Sequence, residues 1–201
     1  MRKLILIACG LLLVAAVGTF AQTPAAAPGP AMPTSGVRAE ILNELAGLEN
    51  HVMRLAETVP ADKYTWRPGE GVRSVSEVYL HIAAANFNLP RLIGTQPPAG
   101  FKVQGFDTAT TDKAKIVETL KQSFTHLRNA ILSLSDAGAE KPVKLLGRDN
   151  TYRGVMVFML RHMGEHLGQS IAYARVIGVV PPWTEEQQQR QQQPSKQPPK
   201  Q

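Results

Sequence analysis

"YRGVMVFMLRHMGEHLGQSIAYARVIGVVPP", Tyr152 to Pro182, carries the longest unbroken helical period in the chain. Val155, Met159, His162, His166, Gln169, Tyr173 and Val176 recur at spacings of 4, 3, 4, 3, 4 and 3, the period of a helix with one inward face. That period predicts a helix from Tyr152 to about Ile177, stopped by Gly178 and then by Pro181 and Pro182. Both histidines therefore fall where core residues are expected. At 100° per residue, His166 lies about 40° round from His162 and one turn along, which lets two imidazoles meet one ion.

Working outward, three more stretches carry the same period. Ile41, Leu45, Leu48, Val52 and Leu55 predict a helix from Val37, with Ser35 as N-cap, ending near Thr58 before Pro60. Ser74-Val75-Ser76-Glu77 is a capping-box pattern, and Val78, Ile82, Ala85 and Leu89 carry the helix it opens to Pro90 or just past. Ile116, Leu120, Phe124, Leu127, Ile131 and Leu134 predict a helix over about Asp112 to Ser135. No stretch alternates as a strand should, although Val143 to Gly147 is expected to pair briefly in the last loop. Four long amphipathic helices in one domain read as an all-α four-helix bundle. The connections are long for such a bundle, and long structured loops usually cover something.

The ends differ in kind. "MRKLILIACGLLLVAAVGTFAQ" has a basic start, an apolar run from Leu4 to Val17 and small residues at Thr19 and Ala21, the layout of a signal peptide over residues 1–21 cleaved after Ala21. Its apolar run is short for a membrane span, the alternative being an uncleaved anchor. Too few residues separate Lys3 from Cys9 for a lipoprotein leader, so Cys9 reads as filler. Residues 22–36 form an Ala/Pro-rich linker, residues 37–184 the bundle, and the Gln/Pro-rich residues 185–201 are expected to be disordered.

The single cysteine, Cys9, lies in the leader, so disulfides and a thiolate nucleophile are excluded from the rest. Any metal there is held by His, Asp or Glu. The net charge of +6 falls to +4 once Arg2 and Lys3 leave, and the remaining basic residues are interspersed with acids. Nucleic acid is not an expected partner. The chain is expected to be exported, to the periplasm or beyond the cell, with no membrane attachment after cleavage.

Two histidines four apart arise by chance in roughly a tenth to a fifth of such chains, so the pair alone decides little. His81 adds a third, on a helix face with Ser74, Val78, Ala85, Asn88 and Leu92. Inward imidazoles need partners. One Zn²⁺-like ion would satisfy all three together; the alternative is that they bond to one another and to Tyr or Gln without metal. His51 and His126 fall beside their helices' seams and are expected at the boundary. "HMGEH" also matches the H-x-x-E-H signature of inverted zincin proteases, but the only acids after His166 are Glu185 and Glu186 in the tail, so the third ligand is missing. Glu165 falls off the seam and reads as a neighbour or supporting group. Gln169 lies about 20° from His162 on the inward side and is placed to orient a water or ligand at the ion, the alternative being a polar residue near the helix end bonded to a loop. Trp66, Tyr79, Asn86 and Tyr173 are pocket candidates by position.

Trp66-Arg67-Pro68, Ser74 and His81 in one stretch, with His162, His166, Gly168 and Gln169 in the other, resemble the DinB/YfiT-like family of metalloenzymes. The resemblance spans Val37 to Thr184. It implies an up-down-down-up bundle holding a divalent ion, typically Zn or Ni, on His81, His162 and His166, with positions left open for water or substrate. Relatives in that family include transferases that conjugate low-molecular-weight thiols, so a small-molecule or thiol substrate is implied, and a homodimer is left open. An exported member is set apart from those cytosolic thiols. A non-catalytic metal-binding or interaction domain is the other function the resemblance admits.

Overall fold

The computed structural model describes residues 32–192. The leader, most of the linker and residues 193–201 lie outside the described residues. Four long helices form the bundle: α1 (Val37–Thr58), α2 (Val75–Asn88), α3 (Lys113–Leu132) and α4 (Tyr152–Val176). α1 packs on α3 and α4, and α2 packs on the same two. Consecutive helices α1 and α2 thus face each other across the diagonal, as do α3 and α4, so two of the three connections must cross an end of the bundle. This explains their length.

The helix starts follow from local chemistry. Glu77 N–H donates to Ser74 Oγ at 3.3 Å while Ser74 N–H donates to the Glu77 carboxylate at 2.8 Å, the reciprocal cap expected for α2. The Asp112 and Thr151 side chains accept from the backbone of Lys115 and Gly154, at 3.1 Å each, to open α3 and α4. α1 departs from expectation, because its N-cap is Gly36, not Ser35. Gly36 sits at φ 86° against the Asp136 side chain, and the Asp136 carboxylate accepts from Arg38 N–H and, at 2.9 Å, from Arg38 Nε. A distant carboxylate caps the helix, and a side chain at residue 36 would displace it.

Leu45, Val52 and Leu55 of α1, Val78 and Ile82 of α2, Ile116, Leu120, Phe124 and Leu127 of α3, and Val155 and Met156 of α4 are buried in one core. Tyr64, from the α1–α2 connection, is buried with them and donates its hydroxyl to Ala56 O at 2.7 Å. α2 is buried on nearly every side; Glu77, His81, Ala85 and Asn88 form its one half-open stripe. In the last connection, β1 (Pro142–Leu145) pairs antiparallel with β2 (Arg148–Thr151), the brief pairing expected there. α4 ends on Gly178 at φ 80°, as its C-terminal signal predicts.

Two expectations need correction. The chain is helical where disorder was expected from residue 185, since α5 runs Pro182–Gln192. Its apolar anchor is Trp183, whose ring centroid lies 4.4 Å from that of His51 on α1, and Glu186 pairs with Arg54. Composition showed a chain without a core face, and one tryptophan plus one ion pair fasten it to α1. The seam of α4 is also rotated. Its buried residues are Val155, Met156, Met159, Met163, Leu167, Ser170, Tyr173 and Ala174, a face centred roughly 80° from His162 at 100° per residue. Val176, expected inward, is 72% exposed.

Candidate metal centre

That rotation places His162 and His166 at the edge of the core, half-buried, instead of inside it. Because α2 and α4 are neighbours, the open stripe of α2 faces this edge and brings His81 to the pair. His81, His162 and His166 each offer a ring nitrogen, and the three atoms lie within 4.8 Å of one another. The Nε2 atoms of His81 and His162 are 3.2 Å apart, and the His162 and His166 ring centroids are separated by 4.6 Å.

Two tautomers are set by neighbours. His81 Nδ1–H donates to Asp107 at 3.0 Å, leaving Nε2 with its lone pair outward. His166 Nδ1–H donates to Gln169 Oε1 at 2.9 Å, and Gln169 Nε2 donates in turn to the Tyr173 hydroxyl at 2.8 Å. The Tyr173 ring meets Trp66 edge-on, with centroids 5.3 Å apart. Gln169 is thus held at both ends of its amide, and it holds His166.

This donor set fits a divalent ion. Tetrahedral coordination with Zn–N bonds of about 2.0–2.1 Å separates ligand nitrogens by about 3.3–3.4 Å, close to the observed 3.2 Å. Three imidazoles with outward lone pairs, two of them locked by a carboxylate and an amide, match the way metal-binding histidines are supported. Without an ion, a proton on His162 Nε2 satisfies His81 and leaves the His166 lone pair without that donor. Burial, followed by the neighbouring His166 and His81, lowers the pKa of His162 to about 4. Burial also lowers His81, with the Arg73 charge next and Asp107 opposing. Neutral imidazole, the form that binds metal, is the resting state near pH 7.

Beside His81 and His162 opens a cavity of about 540 Å³, with Ala85, Asn88, Val103, Asp107 and Phe158 in its wall. The long α2–α3 connection covers this site, and carries Asp107 on a short 3₁₀ turn, Phe106–Thr108. That turn is seated by Phe106 and Phe101 against Phe87 of α2. Asp107 also accepts from Arg73 Nε at 3.2 Å. A second cavity, about 670 Å³, lies between α3 and residues 98–101 and includes His126, but no cluster of metal-ligating side chains faces it among the described residues.

Asp107 was not legible in the sequence, since it stands in a connection without periodicity. Glu165 is exposed, off the seam as expected, and pairs with Arg161 one turn back; among the described residues no hydrogen bond joins it to an imidazole. Asn86 and Tyr79 are buried in the core, Asn86 donating to Ser123 Oγ at 3.2 Å. His51 and His126 are boundary residues, as expected.

A family model described as the DinB superfamily matches residues 44–170. Among solved structures, a DinB-like protein from Bacillus cereus is similar with a TM-score of 0.63 at 15% identity, covering 71% of this chain and 93% of that one. A DinB-like protein from Bacillus subtilis is similar with a TM-score of 0.53 at 24% identity, covering 69% and 92%. No curated protein matches. These likenesses concern the fold.

Proposed function

The chain belongs to the DinB superfamily, and from that premise and its histidine cluster we propose that it is a divalent-metal-dependent enzyme, of transferase or hydrolase type, that activates a water or a thiol. The observation that carries this reading is the convergence of His81, His162 and His166, the first two of which line an open cavity. A structural ion is ordinarily closed by four protein ligands, whereas three ligands at a cavity leave a position for a reactant.

Zn or Ni suits three neutral imidazoles. Such an ion supplies Lewis acidity, bringing the pKa of a water or thiol at the open position toward neutrality. The residues do the rest. Asp107 accepts the Nδ1 proton of His81 and keeps its Nε2 available; Gln169 does the same for His166. Phe158 and Val103 line the approach and limit the water that reaches it. Asn88, on the same stripe of α2, offers an amide to orient a polar group.

The test is Co²⁺ substitution followed by azide titration. A visible spectrum that changes with azide supports an open position. A spectrum unchanged at saturating azide assigns the ion to a closed site and the protein to the non-catalytic alternative. Export belongs to the same proposal, and rests on the basic start and apolar run of the leader. Secreted or periplasmic protein beginning at Gln22 is the expected result; chain retaining its leader in the membrane fraction contradicts it.

A further inference from the structure

The cavity wall carries few charges. Of its lining residues only Arg73 and Asp107 are charged, and Ala84, Ala85, Leu89, Val103 and Phe158 give it an apolar side. Asp107 is committed twice through one oxygen, to His81 Nδ1 and to Arg73 Nε. Arg73 is bound only through Nε, so its two terminal amino groups have no protein partner among the described residues. It precedes Ser74, the N-cap of α2, and is held at the cavity by the Asp107 contact. The Arg73 charge reaches the histidines too: after burial, it is among the causes that lower both His81 and His162.

We propose that this cavity takes a small amphipathic acid, its carboxylate on the terminal amino groups of Arg73 and its apolar body against Leu89, Val103 and Phe158. The inference rests on reading the histidine cluster as the reactive centre, and it names the substrate class of that site. A guanidinium offers a carboxylate two parallel N–H donors. Asp107 and Arg73 cancel each other, so any ion on the three neutral imidazoles leaves the cavity with net positive charge. Neutral or cationic ligands of the same shape are disfavoured. A volume of about 540 Å³ is within the range of small-ligand sites, about 300–1,000 Å³. Apolar length should add affinity, because each buried methylene contributes.

The experiment is calorimetric titration of the protein, zinc-loaded and chelator-treated, with octanoate, octanamide and acetate. Octanoate is expected to bind at least tenfold tighter than either of the others. Arg73→Gln should erase most of the difference between octanoate and octanamide, and Arg73→Lys should restore part of it. Zinc affinity, measured on both variants, separates a lost anion contact from a disturbed Asp107–His81 pair. Equal affinities for octanoate and octanamide, or an Arg73→Gln variant that still discriminates in its chelator-treated form, overturn the inference while leaving the metal reading intact. Should the protein take up no zinc yet bind octanoate through Arg73, the metal reading fails and the acid site stands.

Discussion

Asp107 is the most revealing residue to perturb, because its role follows from structure alone. Its carboxylate accepts from His81 Nδ1 at 3.0 Å and from Arg73 Nε at 3.2 Å, and is 28% exposed. Asp107→Ala removes the acceptor that fixes the His81 tautomer and makes the ring a stronger donor. Comparable losses weaken metal binding about 10- to 100-fold, equivalent to ~1.4–2.7 kcal/mol. The broken contact with Arg73, which is 43% exposed, adds at most about 1 kcal/mol to stability, as solvent-screened pairs do. The effect should therefore fall on metal affinity and leave the metal-free fold nearly untouched. Asp107→Asn, which keeps an acceptor oxygen but not the charge, should fall between wild type and alanine. The assay is zinc titration against a competing chelator, alongside urea unfolding in excess chelator. A zinc Kd for Asp107→Ala within twofold of wild type, or a loss confined to the unfolding free energy, would show that Asp107 does not support His81 as a ligand.

Gln169→Ala should weaken zinc by about tenfold, because His166 loses its Nδ1 partner; Tyr173→Phe, one bond further away, should cost less, and the same chelator titration ranks them. Unfolding in excess chelator should depend on pH through His162. Its folded pKa of about 4 lies below the unfolded 6.5, so its stabilising contribution is whole above about pH 6.5, declines as pH falls and is gone below about 4. His162→Gln should flatten the stability profile across that window, measured by urea midpoints; an unchanged slope contradicts the assignment. Phe124→Ala, fully buried in α3, should cost about 3–5 kcal/mol with or without metal, by the same unfolding assay.

Much of the bundle was legible in the sequence because the apolar period of each helix extends over many turns. α1 and α4 begin where their patterns begin, and the capping box of α2 is local chemistry that needs no tertiary context. The N-cap of α1 was not legible. The carboxylate that serves it, Asp136, lies 98 residues away, and only folding brings it there. α5 was missed for a similar reason: its composition is that of a solvated tail, and Trp183 gains meaning only against His51.

The site divides the same way. His162 and His166 were placed by spacing, and His81 by its position on α2. The period of α4, however, averages over core and cavity, so it centred the seam on the histidines when the core is centred near Met159, Met163 and Ser170. Those histidines look inward in a pattern because they sit half-buried at the core's edge, where His162 lines a cavity. Glu165 drew attention through a motif, yet helix geometry turns it to solvent, toward Arg161. Asp107 and Arg73 could be found only once the α2–α3 connection folds over α2, since neither belongs to a periodic face.

The central claim is that three histidines hold one ion with a position open. X-ray absorption on the zinc-reconstituted protein measures it most directly. One zinc per chain is expected, with three imidazoles at about 2.0–2.1 Å and one further light ligand that is not histidine, and with an imidazole lost in His81→Ala. Failure to take up stoichiometric zinc, or a zinc whose imidazole count is unchanged in His81→Ala, would contradict it.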